Sequence, residues 1–243
     1  MERGSLERTD FMADSARDTL SIDIVSDVVC PWCYIGKRRL EAALALLRDD
    51  EPDVRPAMRW HPFELNPDLP HEGIDRRSYL ERKFGSVERT RGIYERVRAA
   101  GLAAGIAFAL DSIVRQPNTR DAHRLIDWAQ RQGDADALVE QLFRGFFLEG
   151  RSIGDCDELV AMAGEAGLDA TAARALLASD DGVARVAAME RRALAMGVEG
   201  VPFFIFDGRI AVSGAQEPDV LRDAIVEAIR TPDPRAPRAA LPQ

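Results

Sequence analysis

Residues 20–36 of the chain read LSIDIVSDVVCPWCYIG and place two cysteines directly behind an apolar run. Within residues 20–26 apolar and polar side chains alternate, which is typical of a β-strand. After the cysteines, Leu40, Leu44 and Leu47 recur at the spacing of one helical stripe. A C-x-x-C pair at a strand-to-helix junction is typical of a dithiol redox centre.

The two sulfurs are predicted to have different roles. With Cys30 at the N-cap, Pro31 takes the first helical position, where its missing N–H costs nothing. Cys30 then faces unpaired backbone donors and the positive end of the helix dipole, which both favour a thiolate. Cys33 falls on the buried stripe of the helix. We therefore expect an exposed Cys30 that attacks and a shielded Cys33 that resolves a mixed disulfide.

Two other uses of the cysteine pair have less support. The loop that the pair closes is too short for its disulfide to stabilise the fold much. A zinc site needs about four ligands, and the sequence has no second C-x-x-C and no H-x-x-x-H. Since the histidines are scattered as well, we expect no metal site.

Composition limits the size of the fold, the kinds of partner and the cellular compartment that this protein can have. The chain has 243 residues, 46% of them hydrophobic, enough to bury the core of one or two domains. A net charge of −9 without a basic patch argues against nucleic acid or a membrane as partner. No apolar run is long enough for a membrane span, and residues 1–19 lack the apolar segment of a secretory signal. We therefore expect a cytoplasmic protein, where a cycling disulfide is favoured over a permanent one.

Strand patterns occur in two distant parts of the chain. A proline-rich loop at 63–70 follows the early strands, and Asp207-Gly208 is a hairpin turn signal between the late ones. Residues 75–196 show helical patterns throughout, and a further helix is predicted at 218–229. The strands, predicted to share one sheet, cover 20–26, 54–63, 201–206 and 209–212. The predicted domains are 20–70 with 197–230, a helical insertion at 71–196, and flexible tails at 1–19 and 231–243.

Polar residues mark where several helices of the insertion begin. Asn118 is predicted to cap a helix that carries an apolar stripe, and Asp134 to start the next one. Asp155 and Glu158 have the spacing of a capping box. Lys37, between the cysteines and the leucine stripe, is predicted to lie with its basic neighbours on a solvated helix face.

Four groups of residues together resemble a known family. They are Cys30-Pro31-Trp32-Cys33 with Tyr34 and Gly36, Gly200-Val201-Pro202, Asn118-Thr119 with Ala122-His123-Arg124, and Trp60-His61-Pro62-Phe63 with Leu65-Asn66-Pro67. Over about residues 20–230 the chain resembles the DsbA-like branch of the thioredoxin-fold oxidoreductases, most closely its FrnE-type subgroup, which is related to the 2-hydroxychromene-2-carboxylate isomerases. The resemblance implies an α/β fold in which a large all-helical insertion interrupts a thioredoxin-like domain.

The resemblance also implies roles for particular residues. Pro31 and Trp32 would belong to the active-site motif around the catalytic Cys30 and Cys33. Pro202 would be cis, and the Val201 backbone would bind an extended partner chain beside the disulfide. An X–Pro bond accepts the cis form readily, although a trans proline at a strand start is the simpler alternative.

Two residues of the insertion are candidate cleft residues. Asn118 would face the cleft in addition to capping its helix, and His123 would reach the space between the domains. A histidine held in the core by its neighbours is the simpler interpretation of His123. Cys156, which has acidic neighbours, is interpreted as a bystander thiol.

The sequence thus predicts a thiol–disulfide oxidoreductase or isomerase acting on protein or small thiols. No cofactor is required, glutathione is a candidate redox partner, and a homodimer is left open. A glutathione-dependent isomerase or transferase for a small aromatic or polyketide-like substrate is one alternative. Such relatives carry serine in place of Cys30, so the presence of both cysteines favours thiol–disulfide exchange. The other alternative is a non-enzymatic metal-holding or chaperone-like module.

Overall fold

The computed structural model describes residues 19–231, which form a four-stranded sheet, a two-residue strand pair and nine α-helices. The strands are β1 (Thr19–Ser26), β2 (Arg55–Pro62), β3 (Ile74–Asp75), β4 (Arg115–Gln116), β5 (Phe203–Phe206) and β6 (Ile210–Ser213). The helices are α1 (Pro31–Asp50), α2 (Arg76–Phe84), α3 (Val87–Ala103), α4 (Arg120–Gln130), α5 (Asp136–Phe147), α6 (Cys156–Glu165), α7 (Ala170–Leu177), α8 (Val183–Ala195) and α9 (Pro218–Arg230). Within these residues no helix is both long and apolar enough to cross a lipid bilayer.

The main sheet has the order β2-β1-β5-β6 and brings distant parts of the chain together. β1 runs parallel to β2, with Ile22 opposite Met58, and antiparallel to β5, with Val25 opposite Phe203. Because β1 and β5 are neighbours that run in opposite directions, the last residues of β1 and the first residues of β5 lie at the same end of the sheet. The segment that precedes β5 therefore meets the segment that follows β1.

The outer edge of β2 is closed by a side chain of α4. The Trp60 N–H donates to Gln130 Oε1 at 2.5 Å, and Gln130 Nε2 donates to the Trp60 carbonyl oxygen at 2.9 Å. The amide side chain of Gln130 thus pairs with the outward-facing N–H and carbonyl groups of Trp60, which an unpaired edge would leave free.

Helix α1 packs against both α9 and α5 within one hydrophobic core. Its buried stripe, which includes Leu40 and Leu47, packs near Leu221 and Ile225 of α9 in the main core. At its start, the Tyr34 ring stacks on Phe143 of α5 with centroids 5.0 Å apart. The start of α1 is therefore part of the aromatic core of the helical region.

The helical region differs from the sequence prediction in two respects. Residues 75–196 are not helical throughout, because β3 and β4 pair there, with Ile74 opposite Gln116. The four predicted strands do share one sheet, but the prediction that 20–70 and 197–230 carry all the strands is wrong. A two-residue strand is too short to show an alternating pattern, and for this reason the sequence did not reveal the pair.

Element ends also differ from the prediction. β2 covers Arg55–Pro62 instead of 54–63, and β5 begins at Phe203, two residues later than predicted. Thr19 belongs to β1, and the Thr231 N–H donates to the Glu227 carbonyl oxygen at the end of α9. The remaining residues of the predicted tails, 1–18 and 232–243, lie outside the described residues.

The predicted caps are partly wrong. Thr119, not Asn118, is the N-cap of α4, while Asn118 Oδ1 accepts from the Arg120 N–H at 2.9 Å. Ala135 takes the N-cap of α5 instead of Asp134. Asp155 does cap α6, but no reciprocal bond from Glu158 forms, because its carboxylate accepts from Arg151 Nε at 2.6 Å. Asn118 and Asp134 thus each lie one residue before the N-cap and accept from the N–H two residues further along the chain.

Candidate active site

The cysteine pair lies at the amino end of α1. Cys30 is the N-cap residue in an extended conformation, and Pro31 occupies the first turn of the helix. The Cys33 N–H donates to the Cys30 carbonyl oxygen at 3.0 Å, which closes the turn that brings the two residues together. All three cysteines of the chain are free thiols in this structure.

Cys30 is buried, with only 6% of its surface exposed, so the expectation of an exposed sulfur is wrong. Its Sγ lies 3.7 Å from the Val201 carbonyl oxygen, on the segment before β5. Access is through a cavity of about 240 Å³ that Cys30 lines. Trp32, 39% exposed, also lines this cavity. The sulfur is therefore recessed in a cavity instead of lying on the surface.

The cavity beside Cys30 has apolar walls that the sequence analysis did not identify. Helices α2 and α3 contribute most of them, and Arg76 and Lys83 add positive charge. The main apolar and aromatic wall residues are Leu65, Tyr79, Leu80, Phe84, Ile93, Tyr94 and Val97. The apolar residues that line the cavity have the same helical spacing along α2 and α3 as residues that pack in a core. The sequence pattern therefore does not distinguish cavity-lining residues from core residues.

The two thiols differ in their electrostatic environments. A hydrogen bond from the Cys33 side chain lowers the pKa of Cys30, and backbone N–H groups of Cys33 and Trp32 act in the same direction. Burial and the Asp27 carboxylate oppose this shift. Burial, followed by the neighbouring Cys30 sulfur, holds the pKa of Cys33 well above its ordinary value. Cys30 is therefore the sulfur that ionises first.

We expect this difference to appear in alkylation of the reduced protein. At neutral pH, iodoacetamide should modify Cys30 faster than Cys33, because only the thiolate reacts. Mass spectrometry of a Cys156→Ser protein, quenched at intervals over a range of pH, measures both rates. Faster modification of Cys33 would contradict the assignment.

The same shifts give opposite contributions to the stability of the reduced protein. The lowered pKa of Cys30 stabilises the fold as pH rises toward the ordinary thiol value, and this contribution is lost as pH falls through the lowered pKa. The raised pKa of Cys33 has the reverse effect, since its contribution is present at low pH and is lost above the ordinary thiol value.

The segment before β5 packs closely on α1. The Val201–Pro202 peptide bond is cis in the structure. A Cβ atom added at Gly36 would lie 2.9 Å from Pro202 Cγ and 3.1 Å from Phe204 Cζ. Only a glycine at position 36 lets α1 approach Pro202 this closely.

We expect Gly36→Ala to destabilise the protein relative to Gly92→Ala. Both changes add a methyl group inside a helix, but an added Cβ at Gly92 meets no atom within 4 Å. The difference between the unfolding free energies of the two variants isolates the clash with Pro202. Overpacking of this kind costs about 1–3 kcal/mol. Urea unfolding of the two variants measures it. Equal unfolding free energies would show that Pro202 moves away without cost.

Lys37 is buried, with 3% of its surface exposed, so the prediction of a solvated helix face is wrong for this residue. Its Nζ lies 3.0 Å from Asp136 Oδ2 and 3.2 Å from Glu140 Oε2, and it also pairs with Glu41. Tyr34 joins the network by donating its hydroxyl to Glu140 Oε1 at 2.8 Å. Burial and this carboxylate raise the pKa of Tyr34 to about 12. The network links α1 to α5.

Asp27 is completely buried at the end of β1, and sequence analysis did not single it out. Its Oδ2 accepts from the Leu65 N–H at 2.8 Å, and its Oδ1 lies 3.4 Å from His123 Nε2. An aspartate between a buried strand and a cysteine pair was the signal that could have drawn attention to it.

Asn118 and His123, the candidate cleft residues, lie in different places. Asn118 donates from Nδ2 to the Leu69 carbonyl oxygen at 2.9 Å and does not line the cavity of Cys30. His123 is buried against Asp27. Within residues 19–231 no group of three or more histidine, cysteine or acidic side chains is arranged to hold a metal ion.

A thioredoxin-like sheet with a dithiol at the start of α1 and a long helical segment before the final hairpin defines a DsbA-like oxidoreductase. The model of the DSBA-like thioredoxin domain matches residues 21–226, and the chain belongs to this family. This result confirms the resemblance and the α/β fold class predicted from the sequence.

Solved structures agree with this assignment. A probable DsbA oxidoreductase, SCO1869 from Streptomyces coelicolor, is 36% identical, with a TM-score of 0.78 over 88% of this chain and 92% of that one. The cytosolic disulfide reductase DsbM from Pseudomonas aeruginosa with GSH is 17% identical, with a TM-score of 0.61 over 87% and 100% of the two chains. A 2-hydroxychromene-2-carboxylate isomerase is 16% identical, with a TM-score of 0.59 over 86% and 96%. The last two likenesses show the shared fold.

Proposed function

We propose that the protein is a thiol–disulfide oxidoreductase that cycles a Cys30–Cys33 disulfide through a mixed disulfide with its substrate. The main support is the unequal pair of sulfurs at the start of α1, one with a lowered and one with a raised pKa. An ionised sulfur reacts with a disulfide, and a protonated neighbour is held back until the first bond has formed.

The steps balance without another reactant. In the reducing direction the Cys30 thiolate attacks a substrate disulfide, forms a bond to one substrate sulfur and releases the other as a thiolate. Cys33 then loses its proton and attacks Cys30 Sγ, which releases the second substrate thiolate and forms the Cys30–Cys33 disulfide. Two electrons pass from the protein to the substrate. The reduction potential of the pair decides whether this direction or its reverse operates.

The substrate would reach Cys30 through the cavity of about 240 Å³ beside it. Val201 and Pro202 would position the substrate, since the Val201 carbonyl oxygen already faces the Cys30 sulfur. The substrate would be a disulfide of a protein or small molecule, or in the reverse direction the corresponding thiols. Glutathione is the proposed redox partner, supported by the relative whose structure was determined with GSH. No organic cofactor or metal is required in these steps, and we propose the cytoplasm as the location.

The test is reduction of a fluorescent peptide disulfide by glutathione with the protein present in catalytic amount. The protein and its Cys156→Ser variant should both accelerate the reaction, and the acceleration should disappear in Cys30→Ser. Acceleration that survives in Cys30→Ser would contradict the proposal and favour a glutathione-dependent isomerase or transferase. Stoichiometric zinc released on alkylation would contradict it in favour of a metal-holding module.

A further inference from the structure

We infer that the cavity beside Cys30 selects small disulfides that carry an apolar group and a carboxylate, and that Arg76 binds this carboxylate. The inference rests on the proposed function and names the substrate class of the same site. Three features of the structure support it: the small volume of the cavity, its apolar wall, and an arginine in that wall whose charge no acidic side chain of the described residues balances.

The size of the cavity limits what can enter beside the sulfur. Its volume of about 240 Å³ is below the roughly 300–1,000 Å³ of pockets that enclose a whole drug-sized ligand. One group of side-chain size therefore fits there, next to the substrate sulfur that Cys30 attacks. Because Cys30 is buried, a small molecule reaches it more readily than a disulfide held inside a folded protein does.

The wall of the cavity favours an apolar group. Its lining from α2 and α3 includes Leu80, Phe84, Ile93 and Val97. An apolar group that moves from water to this wall gains free energy in proportion to the area it buries. A peptide amide would instead lose hydrogen bonds to water that these side chains cannot replace. The wall thus favours an aryl or alkyl group beside the disulfide over a peptide chain.

The charged side chains at the cavity are both cationic. Arg76 and Lys83 line it, and none of the described residues that line it is an aspartate or a glutamate. Lys83 is exposed, and its ammonium group donates to the Tyr79 hydroxyl at 2.6 Å. A wall with this charge attracts an anionic group and repels a cationic one.

Arg76 is half-buried and has only neutral hydrogen-bond partners. One terminal nitrogen donates to Gln116 Oε1, and the other donates to the Tyr94 hydroxyl at 3.0 Å. Its Nε is buried without a partner, and within residues 19–231 no carboxylate pairs with this guanidinium. The planar donors of arginine match a carboxylate. A substrate carboxylate would therefore supply the missing counter-charge, while Gln116 and Tyr94 hold the guanidinium in place.

The first experiment compares two aromatic disulfides that differ in charge. In 5,5′-dithiobis(2-nitrobenzoate) each ring carries a carboxylate, whereas 4,4′-dithiodipyridine is neutral, and both release an absorbing thiol when Cys30 attacks. Stopped-flow absorbance of the reduced Cys156→Ser protein, the parent here, gives a rate constant for each. In Arg76→Gln we expect the ratio of the first rate constant to the second to fall about 10-fold, the effect of losing one charge-assisted hydrogen bond.

Arg77→Gln is the matched control, because it removes the same charge at the next position of α2. Arg77 is exposed, pairs with Glu81 and does not line the cavity. Its ratio should stay within about 2-fold of that of the parent protein, since solvent screens an exposed charge. A ratio that falls equally in the two variants, or in neither, would overturn the inference.

A second measurement on the parent protein does not depend on whether Arg76→Gln folds. Phenylpropionate should slow the alkylation of Cys30 by iodoacetamide because it fills the cavity, whereas acetate and the neutral phenylpropanamide should not at the same concentration. Equal protection by phenylpropionate and its amide, or protection by neither, would also overturn the inference. If the parent protein released no thiol from either disulfide, the proposed function itself would be contradicted.

Discussion

We expect Cys33→Ser to accumulate a mixed disulfide with substrate, while Cys30→Ser forms none. Cys30 lines the access cavity and has the lowered pKa, and in Cys33→Ser the serine hydroxyl can donate to Cys30 in place of the Cys33 thiol, so Cys30 can still attack. Without Cys33, no sulfur is placed to release the bound substrate. In a Cys156→Ser background, non-reducing electrophoresis and intact-mass measurement after incubation with a peptide disulfide would detect the adduct. We expect near-stoichiometric adduct for Cys33→Ser and background levels for Cys30→Ser.

The Cys156→Ser protein itself is the control, and it should turn over without retaining adduct. An adduct on Cys30→Ser but not on Cys33→Ser would reverse the two roles. Absence of an adduct on either variant would contradict the mixed-disulfide mechanism altogether.

The second large effect concerns stability, and we expect Lys37→Ala to lower the free energy of unfolding by about 3–5 kcal/mol. The change would leave Asp136 and Glu140 facing each other and Glu41 without their shared, buried cation. Removing one partner of a buried ion pair is costly; Arg38 still pairs with Glu41 and Glu140, but Asp136 loses the cation it pairs with. Urea unfolding followed by circular dichroism measures the loss.

Lys83→Ala is the matched control, since Lys83 is exposed and its ammonium group donates to the Tyr79 hydroxyl and lies over that ring. An exposed contact of this kind is worth about 0.5–1 kcal/mol. A similar small loss in Lys37→Ala would show that water or Arg38 replaces the ammonium group. Adding Glu140→Gln to Lys37→Ala should recover part of the lost stability.

The features predicted well from the sequence are those that local patterns carry. Alternation over residues 20–26, the proline after Cys30 and the Asp207-Gly208 turn each depend on near neighbours in the chain, and all three lie in elements that the structure contains. The family motifs then related these pieces to one topology. The prediction that the four strands share one sheet follows from this combination, and the structure contains that sheet.

What the sequence could not supply are contacts between distant residues. The burial of Lys37 depends on Asp136 and Glu140, about a hundred positions along the chain, and nothing near Lys37 signals them. The burial of Cys30 likewise depends on the Val201 segment and on the walls from α2 and α3. A helical stripe shows which face is apolar but not which neighbour covers it.

Helix α1 holds the cysteine pair and also takes part in two packing arrangements. Its leucine stripe belongs to the core with α9, and its Tyr34 ring stacks within the aromatic cluster of α5. Excising the insertion would expose that ring to water and leave the Lys37 ammonium without Asp136 and Glu140. The helical insertion is therefore not a detachable module. We expect it to unfold together with the thioredoxin-like sheet in one cooperative thermal transition.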